Sequence, residues 1–424
     1  MYANYLAEGG TPITPPLATE LRQLVFGTAA VPMRAEWTQT PLLFGPPKEE
    51  LAYGLRSPRN ATRGLLSVVQ GFILKHLLFG RRQNRGRPNQ DILMPNADVQ
   101  KEALVTAMVE ILRKVADKGK VTMVLPSGDD EAAFVPHSVD YFHDSVTEKL
   151  YLFTLNTAEE LGFFIKRHYK NFTAEDEPGT LLLLYSAVLT RSLAKVRTDL
   201  DAKRSVPLTM TNNEEGSLMI VTLLLTGRAT PYIHNGVINV GDEDNYAVPQ
   251  YGILSRCTIG LLLWDNDVTQ AAAVAARQPG SRLKTPNYPI WITSCGGHFG
   301  VIFNRNPDLL RNYHAEARFD LNYYSCSGHQ IAMAIDNRTH NDAAFSMLER
   351  QQSLANTGES ISPLAVTGIA ATLTPAAASE IAGKDEPMLN TPLQRLIHTK
   401  WAEAQIRYNA QPSMLSYLFS TNMQ

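Results

Sequence analysis

The segment Gly64–Phe79 constrains this chain more than any other. It reads Gly-Leu-Leu-Ser-Val-Val-Gln-Gly-Phe-Ile-Leu-Lys-His-Leu-Leu-Phe, enough for about four helical turns. Apolar residues fall on most of its faces, and a helix of that kind belongs inside a domain, with other layers around it. Gln70, Lys75 and His76 interrupt the apolar run, and it is too short to span a bilayer. Asn60 and Thr62 stand where a helix N-terminus needs a side-chain cap.

The rest of the chain supplies those layers. Ala97–Lys118 predicts an amphipathic helix with Val99, Ala103, Leu104, Ala107, Met108, Ile111, Leu112 and Val115 on one face. Thr157–His168 and Gly179–Leu200 predict two more. After about residue 230 short β-prone runs take over, at Tyr251–Leu254, Gly260–Trp264, Tyr288–Ser294, His298–Asn304, Arg318–Tyr324 and Ile331–Ile335. Turn residues separate them, as in an antiparallel sheet. Helices first and strands later predict an α+β domain. Residues 1–35, rich in Pro, Thr and Gly, predict a loosely held arm, with structure starting near Trp37. The domain then runs over 36–412, with a disordered insertion expected at 346–390, where Ala, Ser, Thr, Gly and Pro dominate. Leu393–Ala410, with Trp401 and a final strand, closes the domain, and 413–424 is a tail.

Composition excludes several functions. A net charge of -2 over 424 residues gives no global field for nucleic acid or an anionic membrane. The four arginines of residues 80–88 have no interleaved aromatic residues and read as a solvated loop. Three cysteines, Cys257, Cys295 and Cys326, are no disulfide framework and suit a reducing compartment. No basic start or apolar h-region opens the chain, so the cytosol is the expected location, with nuclear access left open. The sequons at Asn60, Asn171 and Asn337 read as chance matches in that setting. His137 and His143 lack the spacing of a zinc site, and no phosphate loop or dinucleotide fingerprint is present, so no cofactor is expected.

A buried helix early and a strand histidine late are the parts of a papain-like cysteine protease. A thiol at a helix N-terminus has its pKa lowered by the helix dipole. A histidine from the sheet relays its proton, and a side-chain amide upstream completes an oxyanion hole.

The motifs make the likeness specific. Tyr53-Gly54-Leu55-Arg56-Ser57-Pro58-Arg59-Asn60-Ala61-Thr62-Arg63-Gly64, followed by Val69-Gln70 and Leu74-Lys75-His76-Leu77-Leu78-Phe79, aligns without a gap to a known segment. That segment is Tyr-Gly-Leu-Val-Gln-x-x-Gly-Gly-Pro-Cys-Gly plus apolar helix, as found in MINDY deubiquitinases of the third and fourth subgroups. Leu283-Lys284-Thr285-Pro286-Asn287-Tyr288-Pro289-Ile290-Trp291 and His298-Phe299-Gly300-Val301-Ile302-Phe303 resemble the family's second landmark, whose histidine is catalytic. Leu223-Leu224-Leu225-Thr226-Gly227-Arg228-Ala229 and His398-Thr399-Lys400-Trp401 resemble two further stretches. The resemblance covers roughly residues 40–410 apart from the insertion, and it implies a papain-like fold with a helical part first and an antiparallel sheet second. It also implies ubiquitin or polyubiquitin as partner.

The departures concern catalysis. Under the resemblance Arg63 replaces the nucleophilic cysteine, Ser57 replaces the oxyanion glutamine, and His298 alone of the catalytic set is retained. A guanidinium is always protonated and is no nucleophile. Arginine also opposes the helix dipole, so helix stability does not account for it; pairing with an acid, binding an anionic group such as a carboxylate, and plain tolerance of lost catalysis are the readings left open. Other nucleophiles fare poorly. Cys295 lies three residues before His298, which in an extended chain points it to the other face. Cys257 and Cys326 read as structural, Thr62 as a cap, and Ser57 has no local base. Asp320 stands about where a histidine-orienting acid could lie, or is a surface residue. The favoured expectation is an inactive, ubiquitin-binding homologue resembling the family's inactive fourth-subgroup B-type member. The alternatives are an active thiol hydrolase acting on proteasome-targeting chains and a scaffold without ubiquitin binding.

Overall fold

The computed structural model describes residues 9–57, 59–80, 91–128, 133–200, 206–209, 215–241, 247–265, 278–338 and 391–408. The expected insertion, the C-terminal tail and all but the first residue of the arginine-rich loop lie outside them. Six of the helices matter here: α1 Pro15–Phe26, α2 Arg63–Phe79, α3 Ala97–Ala116, α4 Gly179–Arg191, α5 Leu218–Thr226 and α6 Pro392–His398. Eight strands matter here: β1 Val121–Pro126, β2 Leu150–Leu155, β3 Gly260–Trp264, β4 Ile290–Cys295, β5 His298–Phe303, β6 Arg318–Ser325, β7 His329–Asp336 and β8 Gln405–Tyr408.

Helix α2 is surrounded, as its composition demands. Thirteen of its residues are buried, from Gly64 through Gly71, Phe72–Leu74, and Leu77 and Leu78. It packs on α3 and α5 to one side and on β4 and β5 to the other. A fully buried Phe72 or Leu66 contributes about 1.5–3 kcal/mol by leaving water. Gln70 is buried too, and the interior satisfies its amide. Its Oε1 accepts the Leu55 N–H at 2.7 Å and its Nε2 donates to the Tyr53 carbonyl at 3.0 Å. Those bonds fix the segment that leads into α2.

Among the described residues the main sheet has six strands, in the order β8-β7-β6-β5-β4-β3. All neighbours are antiparallel except β3 and β4, which run parallel. That one pair departs from the expected antiparallel sheet, because Gly260–Trp264 and Ile290–Cys295 are joined by a long crossover rather than a hairpin. One face packs on α2 through Phe299, Val301 and Phe303. The other buries Trp291, Ile302, Tyr323 and Met333 under Leu393, Leu396 and Ile397 of α6 and Trp401. The chain is therefore mixed helix and sheet, consistent with α+β.

Four expectations need correction. The segment expected to be a loose arm carries α1, with Ala18, Leu21, Leu24 and Val25 buried. Its Arg22 is 1% exposed; the guanidinium donates to the carbonyls of Phe142 and Val31 and lies 3.5 Å from Asp144. The 18, 21, 25 spacing was present in the sequence, but the surrounding prolines obscured it; Pro15 and Pro16 simply start the helix. Strands also occur early: Thr11–Pro12, β2 and β1 form a three-stranded sheet in the helical half. The expected helix Gly179–Leu200 breaks at Ser192, where φ is 74°, and the two pieces meet at 88°. Ser192 then caps the second piece through the Lys195 N–H. The expected strand Tyr251–Leu254 is instead Val248–Tyr251, paired with Val237–Val240.

Candidate functional site

The N-terminus of α2 meets the tip of the β4–β5 hairpin. Arg63 is the first helical residue and Thr62 holds the cap position. Thr62 has φ -97° and ψ -5° and makes no side-chain cap, against expectation. Asn60 offers its backbone carbonyl instead, which accepts the Arg63 N–H at 2.9 Å. The Gly64 N–H donates to the Glu215 carbonyl at 2.9 Å. The first two amides of the helix, which an oxyanion would need, are thus already bonded.

The hairpin turn is Gly296-Gly297, with φ of 55° and 87°. Two successive positive φ values are the requirement of the tightest hairpin connection, and glycine meets it without strain. This turn sets His298 directly across from Cys295. Cross-strand partners share one face of a sheet, so the expectation that Cys295 and His298 point to opposite faces fails; it treated a turn as extended chain. The Cys295 side chain nevertheless sits in the cluster of Trp291, Ile302 and Tyr323.

Glu215 joins the two elements. Its Oε1 accepts from Arg63 Nη1 at 2.5 Å and from His298 Nδ1 at 3.2 Å. Its Oε2 accepts the Phe299 N–H at 2.7 Å. Burial pushes the carboxyl pKa up. The His298 hydrogen bond, the Arg63 charge and the Phe299 amide outweigh it and hold the group below the usual carboxylate range. An ionised carboxylate only accepts, so His298 carries its proton on Nδ1. The side chains of Glu215, Arg63 and His298 are 6%, 16% and 41% exposed, so the cluster opens to solvent on the histidine side. Glu215 also answers the dipole objection, since it places a negative charge beside the arginine at the helix start.

The other candidates fall outside this cluster or are already engaged. Ser57 lies beside the helix start, 3.5 Å from the Thr62 hydroxyl. It is 2% exposed, its hydroxyl donates to the Arg59 carbonyl at 2.8 Å, and it accepts the Arg59 N–H at 3.2 Å. It has no proton left for an oxyanion. Asp320 is exposed and opposite Ala334, and its backbone carbonyl accepts from Asn304; the acid at His298 is Glu215. All three cysteines are free and buried. Burial pushes their thiols up to about 11 for Cys257 and about 12 for Cys295 and Cys326, away from the thiolate that chemistry would need. The charge of Arg63 pulls Cys326 down without overcoming its burial. His137 and His143 meet edge-to-face with ring centroids 5.4 Å apart, and among the described residues no group of three or more His, Cys, Asp or Glu side chains could hold a metal ion.

Sequence reasoning missed Glu215. Its only signal was an acid beside Gly216 and Ser217, just before the apolar run of α5. Nothing local told it from its neighbour Glu214.

Comparison with known proteins places the chain in a family. The model of the deubiquitinating enzyme MINDY-3/4 conserved domain matches residues 22–410. A mouse protein named probable ubiquitin carboxyl-terminal hydrolase MINDY-4 is 32% identical over 331 residues, which is 77% of this chain and 42% of that protein. The Xenopus tropicalis protein of the same name is 28% identical over 406 residues, 96% of this chain and 47% of its own length. Human ubiquitin carboxyl-terminal hydrolase MINDY-3 is 26% identical over 324 residues, 69% of this chain and 66% of that protein. The chain spans less than half the length of these MINDY-4 relatives, and no solved structure matches it. From Arg22 to its last described strand, this chain belongs to the MINDY-3/4 deubiquitinase family.

Proposed function

We propose that this chain is a non-cleaving member of its family, a papain-like domain that binds ubiquitin or polyubiquitin without hydrolysing it. One observation carries the reading. At the helix start, where a cysteine protease holds its thiolate, Arg63 is ion-paired to Glu215, and the same carboxylate takes Nδ1 of His298. A guanidinium cannot attack a carbonyl. Ser57 and the first helix amides offer no free donor to a developing oxyanion. The relatives' names supply ubiquitin as the partner.

The test is retention on immobilised polyubiquitin chains of defined linkage, followed by a gel of the same chains after prolonged incubation. Retention on at least one chain type with intact chains is expected. Loss of retention on every type supports a scaffold without ubiquitin binding. Shortened chains, absent with a His298→Ala variant, establish an active hydrolase instead.

A further inference from the structure

Glu215 is seated as a ligand is seated. Its two carboxylate oxygens take a guanidinium N–H, an imidazole N–H and a main-chain N–H, from Arg63, His298 and Phe299. That donor set recognises carboxylates in general, with the arginine supplying charge and the amide supplying direction. The backbone around Glu215 is pressed into the site as well. Gly216 has φ +138°, and a Cβ there would stand 3.2 Å from the Gly64 nitrogen. Only glycine lets residues 215–217 lie so close over the start of α2. After Glu215 is seated a donor is left over: Arg63 Nε is buried without a hydrogen-bond partner. The histidine edge of the cluster remains open, at 41% exposure.

We propose that Arg63, His298 and the Phe299 amide form a carboxylate receptor, filled in cis by Glu215, that takes the free α-carboxylate of a peptide chain in trans. No covalent step is involved; one carboxylate replaces another. An intramolecular competitor acts at an effective concentration in about the millimolar range, so the intact protein binds such ligands weakly. Removing the Glu215 carboxylate unmasks the affinity. If the preceding functional reading holds, the bearer of the carboxylate is ubiquitin, and the site then holds a free ubiquitin C-terminus rather than a scissile bond.

The experiment compares the wild-type chain, Glu215→Ala and the double variant Arg63→Met/Glu215→Ala. Thermal unfolding in sodium acetate is set against sodium chloride at equal ionic strength. Calorimetry follows, with diglycine and with its C-terminal amide. Acetate is expected to raise the Tm of Glu215→Ala and not that of the other two. Diglycine is expected to bind Glu215→Ala at least about tenfold more tightly than wild type, the worth of one charge-assisted hydrogen bond, with the amide showing no gain. Equal acetate shifts in all three proteins, no shift in Glu215→Ala, or equal binding of diglycine and its amide overturns the receptor. Should Glu215→Ala not fold, Glu215→Ser, which also vacates the carboxylate position, carries the same expectation. A last arm titrates Glu215→Ala with whole ubiquitin and with ubiquitin lacking its terminal residues. Weaker binding of the shortened form supports ubiquitin as the bearer. Equal binding beside an intact acetate response overturns that assignment alone and leaves the receptor standing.

Discussion

Replacing Arg63 by cysteine installs the residue type that the family resemblance implies at this position, and the structure predicts that it restores little else. Consider stability first. The substitution removes the Arg63–Glu215 ion pair, whose side chains are 16% and 6% exposed. Breaking a fully buried pair costs about 3–5 kcal/mol because a charge is stranded. Here Glu215 keeps His298 and the Phe299 amide, so the expected loss is about 2 kcal/mol, read as a lower urea midpoint with an unchanged slope. Catalysis suffers more. The new thiol would face the Glu215 carboxylate, which disfavours thiolate, while the helix dipole favours it. Any oxyanion would meet Ser57, whose proton is given to Arg59, and helix amides given to Asn60 and Glu215. Losing one oxyanion donor costs about 10²–10³-fold in rate. With more than one engaged, single-turnover cleavage of polyubiquitin by Arg63→Cys should fall at least about 10³-fold below that of an active family domain. Cleavage within about tenfold of that domain would show that the donors rearrange freely, and that Ser57 and Glu215 do not block the site.

Other outcomes follow from the same contacts. Glu110 is pushed up by burial but pulled down further by His76 and Lys75, from the ordinary 4.5 to about 2. A depressed folded pKa stabilises above the unfolded value and is lost on acidification through the folded one, so stability should drop between about pH 4.5 and 2. Urea midpoints against pH should show that drop flattened in Glu110→Gln. Cys257, Cys295 and Cys326 should react negligibly with a colorimetric disulfide reagent at pH 7.5 in the folded chain, and all should react after unfolding; one fast-reacting native thiol contradicts their burial. Arg22→Ala should lower stability by about 3–5 kcal/mol in urea titrations, since the Phe142 and Val31 carbonyls and Asp144 lose their buried partner. A loss under about 0.5 kcal/mol would mean that α1 is not docked in solution.

The buried helix was legible in the sequence because its apolar residues leave no face for water, and the structure finds it at Arg63–Phe79. The strands from β3 to β7 were legible to within a few residues, since turn residues bracket each of them, and β8 only as a final strand somewhere in Leu393–Ala410. The parallel pairing of β3 with β4 was not, because pairing depends on the crossover between them and leaves no mark within either strand. Helix α1 was hidden by prolines that read as irregular chain when they are the first turn of a helix. At the site, the family resemblance implied that Arg63 and His298 would meet, and one of the readings left open for Arg63, pairing with an acid, found its acid in Glu215. Which acid could not be read in advance. The bond runs across 152 residues, and long-range partners carry no periodic signal. The Cys295 argument failed for the opposite reason: it used local geometry, but the wrong one, because Gly296-Gly297 turns the chain back on itself.

The central claim is that ubiquitin can be held at this site without being attacked. The most direct measurement is intact mass after incubating the purified chain with ubiquitin carrying a thiol-reactive C-terminus. No covalent adduct is expected while the same protein is retained on polyubiquitin. An adduct that forms stoichiometrically and disappears when a single cysteine among Cys257, Cys295 and Cys326 is replaced would contradict the account.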